Sequence, residues 1–478
     1  MFDKDYEVVI GLEVHVELKT KTKIFCGCST EFGAEPNTQC CPICMGFPGT
    51  LPVLNGKVVD YAIKAGLATN CKITARGKQD RKNYFYPDLP KAYQVSQLDL
   101  PLCYEGYIDV EAEGKSRRIR ITRIHIEEDA GKLIHKGEEG TLVDCNRGGM
   151  PLIEIVSEPD MRSAEEVRAY LQKLRAILLY ADVSDCKMNE GSFRCDVNLS
   201  VRKFGEKELG TRTETKNLNS FNAIARAIES EATRQIKTLK AGGKLVQETR
   251  RWDQDKQKSF SMRTKEDAED YRYFPDPDLM PIVITDEKIR EIASQLPELP
   301  DTRKKVYIEK YNLSPYDAEQ LVSSREIADY FEKTVEKCSN AKMVANFIMT
   351  DFFRLLALEG DDNNRIPISS ENLVELVQKI EDNTINIGIS KKIIEEMWKT
   401  DKRPSDIIKE QGLEQISDDS ILIDVAKKVI ENNTQSVADY KDGKEKALTA
   451  LIGQVMRETK GKANPQMVIT LLKDLLDK

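Results

Sequence analysis

Near the start of the chain, Ile10, Leu12, Val14, Val16 and Leu18 alternate with Gly11, Glu13, His15 and Glu17. A period of two specifies an extended strand with one buried face. It also fixes the register, because a slip of one residue would bury the polar set and expose the apolar one. The polar face is a Glu-x-His-x-Glu comb. Such a comb on a rigid strand can hold a hard divalent cation or steer a proton, or it can be the wet side of an ordinary strand. Ser192 to Arg202 repeats the design, with Phe193, Cys195, Val197, Leu199 and Val201 on one face and Arg194, Asp196, Asn198, Ser200 and Arg202 on the other. Two strands with polar working faces point to one shared site.

The chain has 478 residues, more than one hydrophobic core supports, and about three domains are expected. Up to about Pro281, strand patterns mix with helices predicted over Ala164–Leu179 and Phe221–Leu239, the second with Asn219 or Ser220 as N-cap and Gly242 as stop. Sheet pieces separated by long polar segments fit an antiparallel α+β domain better than a doubly wound one. Leu296-Pro-Glu-Leu-Pro300 reads as a linker, after which strand signals nearly vanish. Leu373, Leu376, Val377 and Ile380 form a helical stripe. A second break falls near Lys402-Arg-Pro-Ser405, and helical patterns over Asp419–Asn432, Gly443–Thr459 and Asn464–Leu476 complete the chain.

The formal net charge of −8 argues against a simple nucleic-acid binder, although residues 441–478 carry eight Lys or Arg against five Asp or Glu. No apolar run approaches the ~18 residues of a membrane span, and the N-terminus lacks a signal-peptide pattern, so a cytoplasmic protein is expected. Eleven cysteines in such a chain are thiols or metal ligands rather than a disulfide framework. Cys26-Gly-Cys28 and Cys41-Pro-Ile-Cys44 are two close pairs on tight turns, suited to closing a tetrahedron around a structural zinc, with Cys40 left over.

Asp80 to Asp88, followed by Pro90-Lys-Ala-Tyr-Gln94, mixes cations, acids and tyrosines in a loop-like run. It suits a ligand with phosphates and a flat ring, or a surface loop with packed tyrosines. Glu248–Trp252 and Asp270–Asp276 have the same character. In Ile119 to Asp129 a second histidine, His125, stands among acids, and Ile153-Glu154-Ile155 sets one carboxylate in an apolar strand, where a cation would offset its burial. Strict alternation pairs Glu127 with His125 and Glu128 with Ile124 and Ile126, leaving open which acid points into a site. Gly114-Lys-Ser116 resembles the end of a phosphate loop, but Asp109 stands where its first glycine belongs. No nucleophile elbow, Gly-Ser-Ser-Gly amidase stretch or Cys/His glutaminase pairing is present.

These runs resemble one family, GatB, the B subunits of aspartyl/glutamyl-tRNA amidotransferases. The resemblance spans essentially the whole chain, through Val9–Leu18, Asp80–Tyr86, His125–Gly131, Pro151–Asp160, Glu190–Asp196 and Lys216–Phe221. It implies an α+β fold in three parts. A glutamine-synthetase-like antiparallel cradle over residues 1–295, with a zinc-binding insertion near 26–44, is followed by an all-α helical domain over 296–403 and a YqeY-like helical tail over 404–478. The implied activity is ATP- and Mg²⁺-dependent phosphorylation of the Glu or Asp side chain on mischarged tRNA(Gln) or tRNA(Asn). Ammonia from a separate amidase subunit then completes the amide, within a heterotrimer whose third member is a small protein. By position, the resemblance makes Glu13, His15, Glu128, Glu154 and Asp196 catalytic, with Glu13, His15 and Glu128 on Mg²⁺. It gives Lys82, Tyr84 and Tyr86 to the nucleotide or acceptor end, and Cys26, Cys28, Cys41 and Cys44 to structural Zn²⁺. Two rivals are an ATP-dependent amide ligase for a free small acid and a noncatalytic zinc-containing RNA scaffold.

Overall fold

The computed structural model describes residues 3–137, 140–264, 271–359, 365–414, 419–441, 444–459 and 463–476. The chain forms two compact units, Met1–Pro300 and Asp301–Lys478. In chain order the first contains β1 (Tyr6–Glu17), α1 (Gly56–Ala68), β2 (Lys72–Ile73), β3 (Arg76–Gly77), β4 (Asp80–Asn83), β5 (Tyr93–Ser96), β6 (Cys103–Ala112) and β7 (Lys115–Glu128). There follow β8 (Lys132–His135), β9 (Thr141–Asp144), β10 (Pro151–Ser157), α2 (Ala164–Tyr180), β11 (Phe193–Lys203), β12 (Thr213–Lys216), α3 (Phe221–Lys240), β13 (Glu248–Asp253), β14 (Lys258–Thr264), β15 (Phe274–Pro275), β16 (Ile282–Val283) and α4 (Asp286–Ser294).

The two patterned strands become neighbours. A nine-stranded sheet runs β14-β13-β12-β11-β1-β10-β7-β6-β2, antiparallel except at the parallel β12–β13 pair. Val8, Ile10, Leu12, Val14 and Val16 of β1 are all buried in one core with Val197 and Leu199 of β11, Ile153 and Ile155 of β10, and Ile124 and Ile126 of β7. Val58 and Ile63 of α1, Leu171 and Leu174 of α2, and Ile224 and Ile228 of α3 join the same core. Each such side chain contributes about 1.5–3 kcal/mol on burial. That sum locks β1 in register and forces Glu13, His15 and Glu17 onto the opposite face.

Local signals close the helices where the sequence places them. Ser163 caps α2 by accepting from the Glu166 N–H at 3.2 Å, while Glu166 accepts from the Arg162 N–H at 2.7 Å. Of the two caps open for α3, Ser220 serves, accepting from the Ala223 N–H at 3.1 Å, and Gly242 ends the turn at φ +76°. Gly114, at φ +72°, turns the β6–β7 hairpin and Lys115 and Ser116 open β7 opposite Ala112 and Glu111, so this stretch is a hairpin rather than a phosphate loop.

The second unit has no strand among its described residues. Its elements are α5 (Pro300–Tyr311), α6 (Pro315–Leu321), α7 (Arg325–Val335), α8 (Ala341–Phe347), a π-helical turn (Ile348–Phe352), α9 (Phe353–Glu359), α10 (Ser370–Glu381), α11 (Ile387–Thr400), α12 (Pro404–Gln411), α13 (Asp419–Asn432), α14 (Thr434–Lys441), α15 (Glu445–Glu458) and α16 (Pro465–Leu476). The α10 stripe buries Leu373, Val374, Leu376 and Val377, with Ile380 half-buried. The break near Lys402 follows Asp401, a left-handed cap at φ +49°, and Pro404 then opens α12. α12 packs on α10 and α11, and its flanking Arg403 pairs with Glu375 at 3.1 Å. Leu422 and Ala426, Leu451 and Val455, and Val468 and Leu472 meet in a separate core through i, i+4 pairs on α13, α15 and α16. No helix among the described residues is long and apolar enough to cross a membrane.

Candidate active site

Strand register decides which polar side chains meet. Glu13 stands opposite Asp196 on β11, and His15 lies between Arg194 on β11 and Glu154 on β10. Glu154 in turn faces His125 on β7, and Leu152 separates Glu17 from Glu127. Directly opposed side chains share a face at about 4.5–5.5 Å between Cβ atoms. The result is a row of imidazoles and carboxylates across four adjacent strands. His15 Nδ1 is 3.8 Å from Glu127 Oε2 and 4.0 Å from Glu154 Oε2, while His15 Nε2 is 3.9 Å from Asp196 Oδ2. Beside it, Glu13, Asp196 and Glu214 of β12 form a second cluster. Asn198 donates to Glu13 Oε1 at 2.9 Å, and Lys216 reaches Asp196 at 2.6 Å and Glu214 at 3.1 Å.

Burial sets the electrostatics. It pushes Glu127 up to about 7 against the pull of Lys82, whose Nζ is 3.9 Å away. It also raises Glu13, reinforced by Glu154 and Glu214. Burial opposes the Glu154 charge as well, but His125, His15 and Lys82 outweigh it and hold this carboxyl below its usual range. His125, pushed down to about 4 by burial, is a neutral imidazole with Nε2 3.5 Å from Glu154 and no partner on Nδ1 among the described residues. Buried carboxylates with like-charged neighbours are relieved by a cation. One donor atom each from His15, Glu127 and Glu154 lie within 4.8 Å of one another, as do those of Glu13, Asp196 and Glu214. These oxygen-rich sets fit a hard divalent ion.

The structure brings together four of the five residues expected to be catalytic: Glu13, His15, Glu154 and Asp196. Glu128 is not among them. It follows Ile124 and Ile126 onto the opposite face, where its carboxylate pairs with Lys91 and accepts from the Val95 N–H at 2.9 Å. Glu127 takes the place expected for Glu128, as strict alternation from His125 requires. The Asp80–Asp88 run begins as the strand β4 rather than a loop. It sends Lys82 over the rings of Tyr84, at 5.9 Å, and Tyr271, at 5.2 Å. Tyr84 donates to Gln94 Oε1 at 3.3 Å, and Tyr86, its edge-on neighbour at 6.3 Å, is 51% exposed. Arg81 is committed elsewhere, to Asp276 at 2.9 Å and Asp278 at 2.8 Å. In Glu248–Trp252, Trp252 is a core residue and Arg250 pairs with Glu248, so this stretch packs the fold. Asp270 lies outside the described residues. Sequence reasoning missed Glu214, on a four-residue strand too short for periodicity and with its first three residues all buried.

Cys26, Cys28, Cys41 and Cys44 converge, their sulfurs within 4.8 Å of one another and those of Cys41 and Cys44 3.9 Å apart. A tetrahedral zinc with bonds near 2.3 Å has sulfur edges of about 3.8 Å, so the set fits such an ion. The fully buried Lys23 lies with Nζ 3.8 Å from Cys44 Sγ. Cys40 stays outside the quartet and donates to the Asn37 carbonyl at 3.3 Å.

Residues 8–290 match the family described as "GatB/GatE catalytic domain", and residues 329–476 match a second one described as "GatB domain". The chain belongs to the GatB family. A relative from Caldicellulosiruptor bescii is 60% identical over 478 residues, covering 99% of this chain and 100% of the relative. Relatives from Caldanaerobacter subterraneus and Carboxydothermus hydrogenoformans are 58% and 56% identical, each over 99% of this chain and 100% of the relative. All three are named as the B subunit of an aspartyl/glutamyl-tRNA(Asn/Gln) amidotransferase. The first family match covers every residue of the acid and imidazole row, and the second lies in the helical unit.

Proposed function

We propose that this chain is the B subunit of a tRNA-dependent amidotransferase, working in the cytoplasm as a heterotrimer with an amidase and a small third protein. It activates the side-chain carboxylate of Glu or Asp on mischarged tRNA(Gln) or tRNA(Asn). A carboxylate oxygen attacks the γ-phosphorus of ATP and ADP leaves. Ammonia from the amidase then attacks the acyl carbon and phosphate departs with that oxygen. The observation that carries this reading is the register that gathers His15, Glu127, Glu154, Glu13 and Asp196 on the face of the sheet opposite the core shared with α1, α2 and α3, in a chain matching the GatB family over both units.

Mg²⁺, held by His15, Glu127 and Glu154 with Glu13 and Asp196 alongside, would neutralise the repulsion between the acyl carboxylate and the polyphosphate. Lys82 and Lys216, both half-buried, flank the row and stay charged despite partial desolvation, Lys82 through Glu127 and Lys216 through Asp196 and Glu214. Both are placed to meet phosphoryl oxygens as charge moves onto them. Tyr84, Tyr86 and Tyr271 offer flat surfaces for the nucleotide or the acceptor end. The cysteine quartet holds a structural Zn²⁺ with no position open to substrate. The carboxylate-bearing sheet is the cradle of glutamine-synthetase type, residues 296–403 are the helical domain, and residues 404–478 are the tail that grips tRNA.

Reconstitution with the amidase and the small third protein, ATP, glutamine and each mischarged tRNA in turn tests the reading. His15→Ala is expected to abolish amidation and spare glutamine hydrolysis. Amidated tRNA forming at a normal rate would overturn the site. Amidation of free glutamate but of no aminoacyl-tRNA would favour the small-molecule ligase.

A further inference from the structure

The helical unit contains a cavity of about 320 Å³ lined by α8, the π turn and the start of α11. Its size reaches the range of small-molecule pockets, from roughly 300 Å³ upward. Its walls include Met343, Phe347 and Ile387, together with Asp351, Lys342 and Lys391. Asp351 is only 4% exposed, yet its single side-chain partner among the described residues is the neighbouring Thr350, whose hydroxyl donates to Oδ2 at 3.1 Å. Neither carboxylate oxygen is a buried atom without a partner, so Asp351 keeps acceptor capacity open to the cavity. It sits on the π-helical turn, which turns both Asp351 and Phe352 inward. Such turns are rare and recur at functional sites. Ile387, 63% exposed, forms an apolar rim, and Lys342 and Lys391 are exposed with no acidic partner among the described residues.

An apolar slot with an acceptor-only carboxylate in its wall and two cations beside it matches an unstacked nucleobase with its flanking phosphates. The carboxylate narrows the choice of base. Its two oxygens need two adjacent donors, which guanine supplies at N1 and N2. Adenine and cytosine set one donor beside an acceptor, and uracil sets one donor between two acceptors. We infer that this cavity receives an unstacked guanine of the bound RNA, with Asp351 reading its Watson–Crick edge and Lys342 and Lys391 meeting its phosphates. This rests on the reading that the substrate is borne by RNA.

The test uses the full chain with ¹³C-labelled methionine and isoleucine methyl groups, titrated with 5′-GMP, AMP, CMP, UMP, guanosine and arginine methyl ester. GMP is expected to shift the Met343 and Ile387 methyls saturably and to bind roughly tenfold more tightly than AMP. Asp351→Asn is expected to cost roughly tenfold in GMP affinity and to erase the preference over AMP. Lys391→Glu, an exposed change, should weaken GMP but not guanosine, and it decides the matter if Asp351→Asn fails to fold. Equal binding of all four nucleotides, or no shift of either methyl, would overturn the inference. Preferential binding of arginine methyl ester would also overturn it and would assign the cavity to a basic protein segment. The titration needs neither ATP nor the other members of the heterotrimer, so its result is independent of whether the catalytic variants amidate.

Discussion

Glu127 and Glu128 are adjacent, both buried, and should respond oppositely to the same change. In the metal-free protein Glu127 titrates at about 7 instead of its ordinary 4.5 because burial opposes its charge. Its pKa is thus higher folded than unfolded. The unfolded chain gives up this proton first, and the charge destabilises the fold progressively from about pH 4.5 to pH 7, then by a constant amount above. At about 1.36 kcal/mol per pH unit, that amount is about 3 kcal/mol. Glu127→Gln removes it, so at about pH 8 the chelator-treated variant should be more stable than wild type by up to about 3 kcal/mol, with no gain below about pH 4.5. Glu128→Gln does the reverse. It breaks the buried pair with Lys91 and weakens the bond from the Val95 N–H. Breaking such a pair costs on the order of 3 kcal/mol. Added Mg²⁺ should stabilise wild type and Glu128→Gln, while Glu127→Gln gains far less. Thermal and urea unfolding with and without chelator at both pH values measures all of this. Equal signs for the two variants, or a Mg²⁺ response lost in Glu128→Gln and kept in Glu127→Gln, would refute the assignment of faces.

Further consequences can be checked separately. Replacing Cys41 and Cys44 by Ser should remove zinc, read by elemental analysis as a fall from one ion per chain to none. Trp252→Ala empties a fully buried site and should cost about 3–5 kcal/mol, visible as a lower unfolding midpoint in urea. Truncation after Gly412 keeps α12 on its neighbours and removes α13 to α16, so turnover on mischarged tRNA should fall sharply; unchanged kinetics would favour a small substrate.

The central strands were legible because each carries its own instruction. β1 and β11 are long, their apolar sets are unbroken, and burying those sets fixes where Glu13, His15 and Asp196 point. The cysteine quartet was legible from spacing alone, since two pairs on tight turns have few ways to satisfy four sulfurs. Glu127 was harder. Alternation gave its parity with His125, but which face of β7 meets His15 depends on the pairing with β10, a contact between distant segments. Glu214 and Lys216 lie on a four-residue strand whose place in the sheet is set by its neighbours. The tyrosine and arginine runs look alike in composition and diverge in the fold, Lys82 facing Glu127 and Trp252 filling the core. The π turn at Asp351 was not legible, since α8 and α9 on either side of it are seven residues each, too short to define a helical phase whose shift could be read.

The central claim is that this face of the sheet activates an acyl carboxylate with ATP. It is tested most directly by reconstituting the complex on mischarged tRNA whose amino acid carries ¹⁸O in its side-chain carboxylate, then measuring the label in the phosphate released. The account predicts one ¹⁸O in phosphate per amide formed by wild type, with amide and labelled phosphate lost together in Glu127→Gln while glutamine hydrolysis continues. Unlabelled phosphate from wild type, or undiminished transfer by Glu127→Gln, would contradict it.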